Sequence, residues 1–386
     1  MKTKKKIGIL TLPLHTNYGG NLQAYALMST LKRMNYDVQL IKRVPEPLSR
    51  LSEILKIGKQ LLKKYLLSQN EAVSFLPFDE KKRRMLITRQ HTERFINDFI
   101  TPQTDNYYSS ESLAKNIDKY QFDACIVGSD QVWRPKYTGG LLGDFFFKFI
   151  KGNDNIRKIS YAASFGTEDW EFSEKQAEVC GNLLKNFTAV SVREDIAVKL
   201  CKEKFGITAQ QVLDPTMLLD KADYLHLIDD DITNTKNELF VYLIDINADK
   251  EDLINSISLK YEYQEFRIGK ISLSDEIAGL KEQPIAPSVG AWLKGFIDAK
   301  FVITDSFHGC VFCILFNKPF VVYASRARGL SRFTSLLSMF GLENRLIFST
   351  SQLNDNVFET IDWDKVEAIL KEKKADAFRF LHDALS

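Results

Sequence analysis

The stretch KFVITDSFHGC at residues 300–310 carries the side chains best suited to chemistry. A β-branched strand delivers Thr304, Asp305, Ser306 and His308 to its tip, and Gly309 lets the chain turn into an apolar run holding Cys310 and Cys313. An imidazole titrates near pH 6.5, so a histidine at a helix start can serve as general acid or general base near neutrality. Other clusters share this placement. LHTNYGGNLQAYAL, residues 14–27, follows the apolar KIGILTL; Asn17, Gly19, Gly20 and Asn21 put amides and glycines between a strand and a helix, where an anion is favoured. Asn21 is placed to cap that helix. After FDACIVGS come Ser129, Asp130 and Gln131, a carboxylate and two polar groups that suit proton transfer or sugar-hydroxyl recognition. Ser164 ends ISYAASFG on the same side. Arg193 ends AVSVRE, where its guanidinium either pairs with Glu194 or Asp195 or offers its planar fork to a carboxylate or phosphate. Arg326, Arg328 and Arg332 present positive charge from ASRARGLSR, as solvated surface or toward a polyanion.

Elements of a particular kind must position these groups. Short β-type runs alternate with helical patterns over most of the chain, the sign of parallel sheets flanked by helices. KIGILTL, DVQLIKR, FDACIVGS, RKISYAASFG, AVSVRE and QQVLDP read as strands of a first lobe over residues 1–220, with one helix from about Asn21 to Met34. ELFVYLIDI, EFRIGKI, KFVITDS and KPFVVYAS read as strands of a second lobe over 235–345. Residues 346–386 close with a helix expected to dock on the first lobe. The fold class is therefore α/β, two Rossmann-like lobes facing a cleft. In open parallel sheets ligands bind beyond the carboxyl ends of the strands, where every cluster above falls. A nicotinamide site is set aside, because the first turn lacks GxGxxG and DVQLIKR ends in basic residues.

Residues 45–120 interrupt the alternation. Between 41 and 94 there are 13 Lys and Arg against 6 Asp and Glu, inside a chain whose net charge is only +2. Leu51, Leu55, Leu62 and Leu66 fall on one side of a helix and Lys56, Lys59 and Lys63 on another, which fits an anionic membrane surface, a polyanion, or packing on the first lobe with a solvated basic face. No apolar run approaches the roughly 18 to 20 residues that span a bilayer. MKTKKKIGILTLPL reads as a first strand instead of a signal peptide. Five cysteines in mostly apolar surroundings suit buried thiols in a reducing, cytoplasmic compartment, with Cys310 and Cys313 as core packing. Nothing points to nucleic acid, and no cluster has the spacing of metal ligands.

HTNYGGNLQAYAL, DACIVGSDQVW, KISYAASFG, SVRE, VLDPTMLL and WLKGFIDAKFVITDSFHG, in this order, resemble the polysaccharide pyruvyl transferase family over roughly residues 6–345. The resemblance implies two lobes similar to those of GT-B glycosyltransferases. It implies transfer of a pyruvyl group from phosphoenolpyruvate to a sugar of a surface polysaccharide, in exopolysaccharide or capsule synthesis, giving a ketal across two hydroxyls. No cofactor is implied beyond that donor. His308 falls on the histidine thought to be catalytic, and Asp130 is the candidate partner acting on the acceptor hydroxyl. Asn17, Gly19, Gly20, Asn21, Ser129, Gln131, Ser164, Arg193, Ser306, Arg326 and Arg328 are the candidate substrate-binding residues. Relatives often carry an arginine at the place of Ser306, so either Arg326 or Arg328 supplies the missing cation or this branch of the family uses another donor. The acceptor would be a lipid-linked oligosaccharide on undecaprenyl diphosphate, reached at the cytoplasmic face of the membrane. A sugar-nucleotide glycosyltransferase and a non-catalytic assembly protein are the alternatives.

Overall fold

The computed structural model describes residues 4–46, 78–150, 155–228, 238–269, 285–325 and 329–386. The first sheet holds β1 (Lys6–Leu10), β2 (Asp37–Leu40), β3 (Ala124–Val127), β4 (Arg157–Ala163), β5 (Ala189–Val192) and β6 (Gln210–Gln211), all parallel, in the order β2-β1-β3-β4-β5-β6. The second holds β7 (Leu239–Tyr242), β8 (Glu265–Arg267), β9 (Phe301–Thr304), β10 (Phe320–Tyr323) and β11 (Leu346–Ile347), again parallel, in the order β11-β10-β9-β7-β8. Strand order reverses between β1 and β3 in the first sheet and between β7 and β9 in the second. Those are the points where a parallel sheet opens a crevice at its carboxyl edge.

Side chains alternate across each strand, and both faces are buried, as a sheet covered on two sides requires. Ala124 and Ile126 of β3 join one apolar cluster while Cys125 and Val127 join another. In β9, Val302 faces the first of these clusters and Phe301 and Ile303 face a third. The first cluster is continuous from β1 through Trp292 to Phe380, so a single core crosses both lobes.

The helix α1 (Tyr18–Arg33) occupies its centre, with thirteen of sixteen residues buried. It starts three residues before the expected position because Asn17, not Asn21, is the cap: its side chain accepts from Gly20 N at 3.2 Å. Asn21 instead donates to the His15 carbonyl at 2.7 Å and fixes the β1–α1 loop. Neither Gly19 nor Gly20 has positive φ; both lie within the first helical turn. Tyr18 stacks on Trp292 of the second lobe with centroids 5.5 Å apart, and its hydroxyl donates to the Pro287 carbonyl at 2.8 Å.

Within the expected insert, α2 (Phe78–Phe99) packs beside the β1 and β2 loops, and its Thr88 carbonyl accepts from Ala286 N of the second lobe. The basic amphipathic segment around Leu51 to Leu66 lies outside the described residues. Four further helices matter to the site: α3 (Ala248–Tyr261) after β7, α4 (Val289–Asp298) before β9, α5 (Phe307–Leu315) after β9, and α6 (Ser331–Phe340) after β10. The last helix, α7 (Trp363–Leu385), lies on the first lobe: Phe380 packs on Tyr161, and Lys5 donates to the Leu385 carbonyl at 2.6 Å. All five cysteines are buried, and no described helix is long and apolar enough to cross a membrane.

Candidate active site

Both crevices open on the same space. A cleft of about 480 Å3 is walled by the loop after β1 (Leu12 to Asn17), the loop after β3 (Asp130 and Gln131), the end of β7 (Tyr242 and Ile244) and the β9–α5 turn from Asp305 to His308. Tyr137, Pro45 and Arg332 complete the wall. The groups meet here because each follows the carboxyl end of its strand, at the edge where a parallel sheet opens.

His308 lies in the first turn of α5, whose cap is Ser306: the serine oxygen accepts from Gly309 N at 3.3 Å. One flank of the imidazole rests on Gly19, where an added Cβ would stand 2.1 Å from Nδ1. Gly19 is thus a close-approach glycine that lets α1 and the histidine meet. On its other side Nε2 faces Asp214 Oδ2 at 3.6 Å, longer than a hydrogen bond but close for an opposite charge.

Asp214 was not picked out from the sequence as a functional residue, and it organises the layer behind the cleft. Its Oδ2 accepts from Ser129 Oγ at 2.8 Å and Arg193 Nη1 at 2.9 Å; its Oδ1 accepts from Thr216 Oγ1 at 2.7 Å and Thr216 N at 3.0 Å. Burial alone would raise its pKa. The charges of His308 and Arg193 and the hydrogen bond from the Thr216 hydroxyl outweigh burial and hold the carboxyl far below the usual carboxylate range. The signal in the sequence was Asp-Pro-Thr directly after a strand, a carboxylate whose own turn supplies donors.

Arg193 is buried with it. Its Nε contacts Glu194 at 3.3 Å, and its guanidinium lies 4.1 Å from the Phe307 ring centroid. Burial acts to lower its pKa, but Glu194, Asp214 and Asp130 together keep it above the ordinary arginine value. Most of its fork is therefore committed to protein, with only Nη2 lacking a hydrogen-bond partner among the described residues. Ser164 donates to Glu194, and neither Ser129 nor Ser164 is exposed, so Ser129, Ser164 and Arg193 form a buried support and not the cleft wall. Among the described residues the arginine that lines the cleft is Arg332 on α6; burial first, then the Arg193 charge, pushes its pKa down to about 10. Arg326 and Arg328 lie outside the described residues.

Asp130 lines the cleft with its backbone in the left-handed region, φ 78°, unusual for a residue with a side chain and a conformation that clusters at functional sites. Its Oδ1 accepts from Gln131 N at 2.8 Å, and its backbone pairs with Ala163 and Ser164 of the neighbouring strand end. Gln131 lines the cleft while its Oε1 accepts from Arg134 at 2.9 Å. Asn17 and Ser306 line the cleft; Gly20 and Asn21 line a small recess beside it, shared with Asp130 and His15. Asp305 is anchored: Lys250 of α3, itself buried, contacts it at 2.6 Å, and Ile244 N donates to it at 2.6 Å. Among the described residues no three His, Cys, Asp or Glu side chains gather as a metal-ligand set.

The depressed pKa of Asp214 sets an acid-stability expectation. A carboxyl whose folded pKa lies below its unfolded value of about 3.9 contributes stability that is fully present above that value and is lost as pH falls below it. Urea melts of the protein between about pH 5 and pH 2 should therefore show a slope that Asp214→Asn reduces by up to about one proton; an unchanged slope would refute the assignment.

Two Rossmann-like lobes with opposed strand-end crevices, and a histidine poised over one shared cleft, define an α/β protein of the two-lobe GT-B type. The chain belongs to the polysaccharide pyruvyl transferase family, whose model matches residues 17–326 of 386. That places it among transferases that modify polysaccharides. No curated protein matches the sequence. Solved structures with a similar course include Staphylococcus aureus MnaA with UDP, at 13% identity, covering 96% of this chain and 91% of that one, TM-score 0.48. Methanocaldococcus jannaschii UDP-GlcNAc 2-epimerase with UDP-GlcNAc and UDP matches at 11% identity over 95% and 99%, TM-score 0.46. Phytolacca americana UGT2 with UDP-2fluoro-glucose and pterostilbene matches at 12% over 97% and 94%, TM-score 0.44.

Proposed function

We propose that this protein transfers the pyruvyl group of phosphoenolpyruvate to a sugar of a surface polysaccharide or its lipid-linked precursor, and closes it as a ketal across two hydroxyls. The observation that carries the reading is His308, held over the cleft between Gly19 and the buried Asp214. The donor brings a phosphate and a carboxylate; Arg332 stands on the cleft wall to meet one of them, in place of the arginine that Ser306 replaces. As C2 becomes positive, the methylene carbon gains a proton and the departing phosphate needs another. His308 supplies one of these, and Asp214 stabilises the imidazolium before transfer. Asp130, on the first-lobe wall, takes the proton of the attacking hydroxyl. No cofactor enters this scheme. The acceptor is a saccharide on a lipid diphosphate at the cytoplasmic membrane face, with the basic stretch at 41–94 against anionic lipid; within it, exposed Lys82 of α2 supports that contact.

Titration calorimetry tests the donor. Phosphoenolpyruvate should give saturable heat, and Arg332→Ala should weaken its affinity roughly 10- to 100-fold, the worth of a charge-assisted hydrogen bond. Saturable heat with UDP-sugars and none with phosphoenolpyruvate would replace this reading with a glycosyltransferase.

A further inference from the structure

A second cavity, about 750 Å3, continues from the cleft along the first lobe, between the β1 and β2 loops and α2. Leu12, Pro13, His15, Pro45 and Ile244 wall both spaces. Of these five, His15 alone has an ionisable side chain. It also borders the small recess that holds Asp130. Its loop is tethered by the bond from Asn21 to the His15 carbonyl, and Nδ1 lies 3.4 Å from Thr16 Oγ1. The loop is therefore anchored through its backbone, and the imidazole stands at the seam between the two spaces, on the lobe opposite His308.

We propose that this groove holds the acceptor saccharide and that His15 is the base that closes the ketal. The inference rests on the pyruvyl transfer proposed above. Ketal formation removes two protons, one from each hydroxyl, and adds two, one to the methylene carbon and one to the phosphate. Asp130 and His308 account for one removal and one addition, and the second added proton comes from solvent. After the first C–O bond forms and phosphate leaves with the electron pair of its C–O bond, C2 is an oxocarbenium bearing a methyl and a carboxylate. The neighbouring hydroxyl then adds to C2 through an oxygen lone pair, and its proton passes to a neutral imidazole nitrogen of His15. An acceptor that runs along the groove with its second hydroxyl on the groove side of the first brings that hydroxyl to the seam His15 borders.

If His15 closes the ring, removing it divides the products instead of merely slowing the enzyme. An unclosed oxocarbenium has two exits: loss of a C3 proton gives an enolpyruvyl ether isomeric with the ketal, and capture of water releases free pyruvate. The full-length protein is incubated with phosphoenolpyruvate and the saccharide pool isolated from cells lacking this gene. Phosphate, pyruvate, the ketal methyl singlet and enolpyruvyl vinyl protons are then measured. The wild type should form one ketal per phosphate. His15→Gln, with His15→Asn as a second substitution, should keep phosphate release within about tenfold and lower ketal per phosphate at least tenfold, with vinyl protons or pyruvate making up the balance. One ketal per phosphate in both variants, at any rate, overturns the proposal. So does loss of phosphate release in variants that still bind phosphoenolpyruvate, because His15 would then act before closure. A wild type that releases no phosphate fails the pyruvyl transfer itself, before any variant is tested.

Discussion

His308→Gln should leave a folded protein that binds phosphoenolpyruvate within a few-fold of the wild type and turns over roughly a thousand-fold more slowly, the usual worth of a positioned acid or base. The expectation of an intact fold comes from Asp214. Without the imidazole its carboxylate keeps Ser129, Arg193 and both donors of Thr216, so no buried charge is left alone. Glutamine fills similar space but cannot deliver a proton at neutral pH. Label transfer from phosphoenolpyruvate into saccharide measures the loss, and thermal melting checks the fold. Turnover within tenfold of the wild type would remove His308 from the chemistry and leave it as a packing residue on Gly19.

Gly19→Ala should be nearly as damaging to activity, from a residue with no functional group. In the middle of an exposed helix such a change stabilises by about 1 kcal/mol, because glycine is the weaker helix former. Here the new methyl would stand 2.1 Å from His308 Nδ1 and 2.6 Å from its Cβ, so either the ring turns out of line with Asp214 or the helices separate. Overpacking of this kind costs about 1 to 3 kcal/mol, and displacing the acid should cut turnover at least about a hundred-fold, the lower bound for losing a positioned acid or base. The double variant Gly19→Ala with His308→Gly separates the two effects, since removing the ring should restore stability while activity stays lost. An additive loss of stability in the double variant would show that the methyl meets something other than the imidazole.

The fold was legible where the pattern is physical and strong. Buried parallel strands such as ACIV and FVIT read as apolar runs, and their carboxyl ends carried the polar clusters that meet in the cleft. The short edge strand β11 was not: its two residues are too few for periodicity to register, whereas β6, equally short, fell inside the QQVLDP run read as a strand. Among site residues, His308, Asp130, Asn17, Gln131 and Ser306 were visible as side chains at strand ends, and all five line the cleft. Ser129, Ser164 and Arg193 sit at the same ends but face the interior, because neighbouring residues on a strand point to opposite sides and only coordinates fix which side holds the ligand. Asp214 was hidden by distance in sequence: it lies 94 positions from His308, and nothing local announces that the second lobe will bring an imidazole to it. Gly19 was read as a supplier of backbone amides, whereas its role is the contact it permits.

Tyr18 and Trp292 stack inside the same apolar mass that runs from the first strand to the last helix. A clamshell that swings open to admit a polymer would have to peel those rings apart at every cycle, exposing the centre of the protein to water. The gap is better regarded as a fixed aperture, which substrates must enter and leave without the two halves parting.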